Sequence, residues 1–213
     1  MRTFTTALCL VVALAGLGLL LGEAERAGPP NVAGFLWPVQ PQVQPFVLDD
    51  ARGGDFNEED LRGHWTLLFL GYTHCPDICP TTLNTLKAAN AALADSVPWA
   101  ASGQVLFISV DAERDTPARL KQYVGYFNPA FRAATGTAAQ LHLVTTQFDM
   151  RYTRSSAEDP SQWWYDHSAH IVLISPALHI AALFEPPHLA ADLADRVRTL
   201  LRFLTDPARK RAP

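Results

Sequence analysis

Apolar positions fall into runs with two different periods along this chain. WTLLFLGY, residues 65–72, and QVLFISVD, residues 104–111, are continuous apolar segments, the pattern of strands buried on both faces. FVLDD, residues 46–50, predicts a shorter strand before a Gly-Gly turn, and FRAATG, residues 131–136, predicts another. NEEDLR, residues 57–62, fits a helical turn. After Cys75 the period changes: Leu83, Leu86, Ala89 and Leu93 share one helical face until Val97-Pro98 ends the run. Asp115-Thr116-Pro117 predicts a second helix start, with a capping side chain and a proline suited to the first turn. That helix carries Leu120, Tyr123, Val124 and Phe127 and stops before Asn128-Pro129. AAQLHLVTTQF, residues 138–148, predicts a third helix. HIVLIS (170–175) and HIAALFE (179–185) predict a hairpin around Pro176-Ala177. Residues 187–203 close the chain as an amphipathic helix that buries Leu189, Leu193, Val197, Leu200 and Leu201.

Strands linked by crossover helices, then an antiparallel hairpin and a final helix, define an α/β fold: a thioredoxin-like sandwich with a central mixed β-sheet flanked by helices. The pattern sets this domain at residues 46–205, with a basic tail over 206–213. Upstream, Thr3 to Gly22 is a run of 20 residues without a charge, close to the ~20 a helix needs to span a bilayer. Arg2 precedes it and Glu23 and Glu25 follow, which predicts a single-pass anchor over residues 1–22 in the cytoplasmic membrane, with the rest on the periplasmic side. A cleaved signal segment is the alternative reading, and Cys9 inside the run reads as a small apolar residue. Five prolines within residues 28–45 make residues 23–45 an extended tether.

With 48% hydrophobic and 18% charged residues the chain can bury a sizeable core. Its net charge of −4 gives no basic surface of the kind that binds nucleic acid. Only two methionines rule out a Met-rich metal-carrying surface. A monomeric soluble domain is the expected state.

Chemistry concentrates in LGYTHCPDICPTTL, residues 70–83. Cys75 falls in the loop leaving a central strand and Cys79 in the first turn of the next helix, with Pro76 as the candidate first helical residue. The spacing of four puts both sulfurs on one side of that turn, and a helix N-terminus favours thiolate over thiol. Three uses compete. A disulfide closing so short a loop stabilises little through chain entropy. A dithiol oxidoreductase is the second reading, although C-x-x-C is its usual form and no proline precedes Asp166-His167-Ser168 on the facing strand. The third is a metal site, which needs another ligand. Of seven histidines, only His167 and His170 flank the strand expected beside the cysteine loop, and strand alternation sends them to opposite faces. His167 is the preferred ligand. Two thiolates and an imidazole suit Cu(I), with a further oxygen for Cu(II), and zinc accepts the same set. Asp77 is read first as an acidic residue stabilising the helix N-terminus, and secondarily as an influence on the site.

GYTHCPDICPTTL, SVDAERDTP and DHSAHIVLISP, in this order and spacing, resemble the Sco/SenC proteins over about residues 46–205. The resemblance implies a membrane-anchored, thioredoxin-like copper protein acting in cytochrome c oxidase assembly. Its copper ligands would be Cys75, Cys79 and His167, and its partner the oxidase subunit that carries the copper-A centre, or another copper-accepting protein. It implies metal delivery rather than enzymatic turnover, with reduction of the oxidase cysteines by a redox-active Cys75/Cys79 pair, or copper or redox sensing, as alternatives. Asp111, Glu113, Arg114 and Asp115 match the second motif and are read as a turn and helix cap. The chain departs from the pattern at the Trp163-Trp164 pair, which with Tyr165 is read first as packing over a loop and alternatively as a partner-docking surface, and at His170, where an apolar residue is usual and a second, weaker metal contact is the alternative.

Overall fold

The computed structural model describes residue 36 and residues 39–156 and 162–206. The expected anchor, most of the tether and all of the basic tail but Asp206 lie outside these residues. Among the described residues no helix is long and apolar enough to cross a membrane.

Seven strands form one sheet. β1 (Val47–Asp50), β2 (Asp55–Asn57), β3 (Trp65–Gly71), β4 (Gly103–Ser109), β5 (Arg132–Thr135), β8 (Ile171–Ile174) and β9 (Ile180–Phe184) take the order β2-β1-β5-β4-β3-β8-β9. β3, β4 and β5 run parallel, and the flanking pairs are antiparallel. Every residue of β3 is buried, as its unbroken apolar run requires of a central strand. The helices are α1 (Ile78–Ala92), α2 (Val97–Ser102), α3 (Pro117–Phe127), α4 (Ala138–Gln147) and α5 (Ala190–Thr205). α1 packs on α5, and α3 packs on β5. The predicted mixed α/β sandwich is the architecture observed.

Several local differences have physical causes. α1 stops at Ala92 with Leu93 as C-cap, before Val97-Pro98, and that pair instead opens the short α2, with Pro98 in its first turn, where its missing N–H costs nothing. Leu189 is 68% exposed instead of buried. It is the extended N-cap of α5, so the helical phase that buries Leu193, Val197, Leu200 and Leu201 does not apply to it. The end of the proline-rich segment is docked: the Val43 N–H donates to the Leu178 carbonyl at 2.7 Å, and Ile180 donates to Pro41 at 2.9 Å. This covers part of the β9 edge, which would otherwise offer free backbone groups.

A second, two-stranded sheet is β6 (Tyr152–Ser156) paired antiparallel with β7 (Trp163–His167). This hairpin stands outside the main sheet and was not expected from the sequence. None of its residues is buried, so the apolar signal that marks the other strands is absent.

Candidate metal centre

The site forms where β3 runs out. The Val110 N–H donates to the Gly71 carbonyl at 2.9 Å, holding β3 to β4 at this level. The chain then turns through Tyr72–Asp77 into α1. Helix α1 begins at Ile78, with Asp77 as N-cap, so Pro76 lies before the helix and not within it. The exposed Asp77 carboxylate makes no capping hydrogen bond. Cys75 is in the loop and Cys79 in the first turn, as the spacing predicted, and both are free thiols.

His167 reaches the sulfurs from the last position of β7, a strand of its own before the apolar one it was expected to flank. The ligand atoms of Cys75, Cys79 and His167 all lie within 4.8 Å of one another. His167 Nε2 is 3.3 Å from Cys79 Sγ. Its Nδ1 is 3.0 Å from the Ser168 carbonyl, an acceptor only, so Nδ1 carries the proton and Nε2 turns its lone pair to the sulfurs. The ring is held edge-on by Phe69 and Tyr72, at centroid distances of 6.1 and 5.9 Å. His170 takes no part. It is buried, with Nε2 3.4 Å from the Phe148 carbonyl.

The two thiols are unequal. Cys75 Sγ accepts from the Cys79 N–H at 3.4 Å. The Cys79 thiol, His167 and the Asp77 and Cys79 N–H groups outweigh burial and hold the Cys75 thiol well below the usual range. Cys79 is pushed up, first by the Cys75 sulfur it serves as donor and then by its complete burial. One thiolate is therefore ready at neutral pH, and the second forms only when a cation or an electrophile compensates it.

The second motif anchors the cysteine loop. Asp115, fully buried, accepts from Thr73 N–H at 2.8 Å, from Thr73 Oγ1 at 2.5 Å and from Ser109 Oγ at 2.6 Å. Capping of α3 falls instead to Thr116, whose hydroxyl accepts from the Arg119 N–H at 3.3 Å. His74, Asp111 and Asp115 also bring ligand atoms within 4.8 Å of one another. Their charge is already balanced, since Arg114 pairs with Asp111 and Arg119 lies 3.8 Å from Asp115. This second group is an anchor, and the soft donor set is the candidate metal centre.

A mixed α/β sandwich with two thiols at a helix N-terminus and an imidazole facing them defines a thioredoxin-like protein with a Cys₂His centre. The SCO1/SenC family model matches residues 38–202. The chain is 35% identical over 195 residues to the mitochondrial SCO2 homolog of Bos taurus, covering 89% of this chain and 73% of that one. It is 41% identical over 135 residues to an SCO2-like protein of Rickettsia prowazekii, covering 61% and 62%. Among solved structures it resembles Arabidopsis thaliana ScoI with copper bound, at TM-score 0.70 and 33% identity over 76% of this chain and 99% of that one. The chain belongs to the SCO1/SenC family.

Proposed function

We propose that this chain takes up copper through Cys75, Cys79 and His167 and passes it to the copper-A subunit of cytochrome c oxidase during assembly. The observation that carries the reading is the donor set itself: two sulfurs and an Nε2 lone pair within 4.8 Å of one another. The set is soft, as Cu(I) prefers. Copper binding by the similar Arabidopsis protein supports it, and membership of the SCO1/SenC family supports the oxidase as recipient. Cys75 contributes the thiolate that already exists, Cys79 releases its proton as the metal binds, and His167 closes the set. As a neutral ligand on a separate hairpin, His167 is the first to yield to an incoming ligand of the acceptor. Exchange with a disulfide of another protein, which takes up the two electrons and leaves as a dithiol, would oxidise the pair to a disulfide, remove both sulfur ligands and tie copper release to redox state. On this reading residues 1–22 anchor the domain on the periplasmic side of the cytoplasmic membrane, so protease added to spheroplasts should cleave it. A domain protected until lysis contradicts that placement.

The test is an anaerobic Cu(I) titration of the reduced protein against a competing chelator, beside His167→Ala. One equivalent should bind, and the substitution should weaken binding about tenfold or more, the loss common when a ligand shell is disturbed. Unchanged affinity removes His167 from the site, and absence of competitive binding overturns the copper reading.

The unequal thiols favour a second use, reduction of a disulfide in the acceptor. There the Cys75 thiolate attacks and Cys79 resolves the mixed disulfide, leaving the acceptor as a dithiol and this pair oxidised. His167→Ala separates the uses, because it should spare thiol–disulfide exchange while weakening copper binding.

A further inference from the structure

Cys75 sits in the loop after β3 and Cys79 in the first turn of α1, whereas His167 belongs to a hairpin outside the main sheet. Something must hold one against the other. Alternation along β7 puts Trp163, Tyr165 and His167 on one face. Tyr165 meets Tyr72 at 5.5 Å. At the far end of the strand, Arg114 joins the hairpin to the second motif. Its Nε donates to the fully buried Asp111 carboxylate, its Nη1 donates to the Trp163 carbonyl at 3.3 Å, and its guanidinium lies 4.2 Å over the Trp163 ring. Arg154 also lies over that ring, at 4.3 Å, and pairs with Glu113 at 2.7 Å.

We propose that Arg114 is a positioning residue for the metal centre: by gripping Asp111 and Trp163 together, it clamps β7 so that His167 stays over the two cysteines. This rests on the copper reading for its metal readout, although the clamp itself belongs to the metal-free protein. Trp163 is four residues from His167, about 13 Å along an extended strand at ~3.3 Å per residue, so fixing its carbonyl and ring together sets the line of the strand. The grip needs an arginine. A planar fork can donate to a carboxylate and a carbonyl while its face stacks on an indole, and an ammonium cannot. The Arg154–Glu113 pair is half exposed, with side chains 42% and 59% accessible, and exposed pairs of this kind contribute little. Arg114, at 22%, is the more enclosed of the two guanidiniums. The Trp-Trp departure from the family pattern thereby acquires a role at its first position.

The experiment is a double-mutant cycle on Cu(I) affinity with Arg114→Gln and His167→Ala, read beside the ring NOEs between His167 and Tyr72 in the metal-free reduced protein. Arg114→Gln should weaken Cu(I) binding at least fivefold in the parent and less than twofold where His167 is already alanine. The sign is diagnostic, since removing a nearby positive charge by itself would strengthen cation binding. The NOEs should weaken or vanish, Arg114→Lys should not restore them, and Glu113→Gln should leave both readouts within twofold. Equal loss of affinity in both backgrounds, or full NOEs in Arg114→Gln, overturns the clamp. Should His167→Ala bind Cu(I) like the parent, the three-ligand reading fails and the NOEs alone decide the clamp. If Arg114→Gln leaves Asp111 uncompensated and does not fold, Trp163→Leu, which keeps that ion pair, takes its place with the same expectations.

Discussion

Replacing Gly71 by alanine puts a methyl group where the Cys79 sulfur lies. An ideal Cβ at this last position of β3 falls 2.6 Å from Cys79 Sγ and 2.8 Å from Phe107 Cε2, against 3.4–4 Å for ordinary contact. About 1 Å of separation must be found, and neither neighbour is free to supply it. Cys79 and Phe107 are both 0% exposed, one fixed in the first turn of α1 and the other in the centre of β4. Overpacking of this kind costs about 1–3 kcal/mol, a fall in Tm of about 3–10 °C for a domain of this size. Cys79 Sγ would leave its place beside His167 Nε2, so Cu(I) affinity should drop about tenfold with it, the lower end of the loss that follows when the support of a metal ligand is disturbed. Thermal unfolding of the reduced protein and the chelator competition measure the two effects. Adding Phe107→Leu separates them: it relieves the ring contact and recovers part of the Tm, but leaves the sulfur contact and the lost affinity. A Gly71→Ala protein matching the parent in Tm and in affinity would show that the glycine is not what makes room for the sulfur.

The remaining expectations concern charge. Cys75, held ionised, should be alkylated by iodoacetamide well below the ordinary thiol pKa of about 8.5 while Cys79 is spared, as peptide mapping would show; equal labelling of the two contradicts the asymmetry. A thiol whose folded pKa is depressed contributes stability that is present above its unfolded pKa and lost as pH falls toward the folded value. Measured against Cys75→Ser, the reduced protein should therefore gain urea resistance between about pH 5 and about pH 8, and a flat difference would refute the assignment. Arg132 pairs with Asp50, which is 4% exposed, and with Asp60 at 3.1 Å. Arg132→Leu leaves Asp50 buried without its partner and should cost about 3 kcal/mol by urea unfolding; a loss under about 1 kcal/mol would mean that the carboxylate is satisfied otherwise.

What could be read beforehand divides along burial. β3 and residues 105–109 of β4 announce themselves because strands covered on both faces are largely apolar, and Leu83, Leu86 and Ala89 because one face of α1 meets the core. The cysteine pair was legible for a related reason, since a strand end followed by a helix start fixes both sulfurs locally. His167 was selected from its neighbourhood, but its strand was not seen. β6 and β7 pair only with each other, and neither buries a residue, so hydrophobic contrast had nothing to report. A period-two signal was present in Trp163, Tyr165 and His167, and would have placed those three side chains on one face. Asp115 was misread for a different reason. Beside Thr116-Pro117 an aspartate looks like a cap, and only its contact with Thr73, 42 positions earlier, shows the carboxylate anchoring the cysteine loop. Local signals thus place the sulfurs, while the histidine depends on contacts distant in sequence. That division suits the proposed carrier: sulfurs meant to hold a metal would sit against the core, and the ligand meant to let go would sit on an appendage.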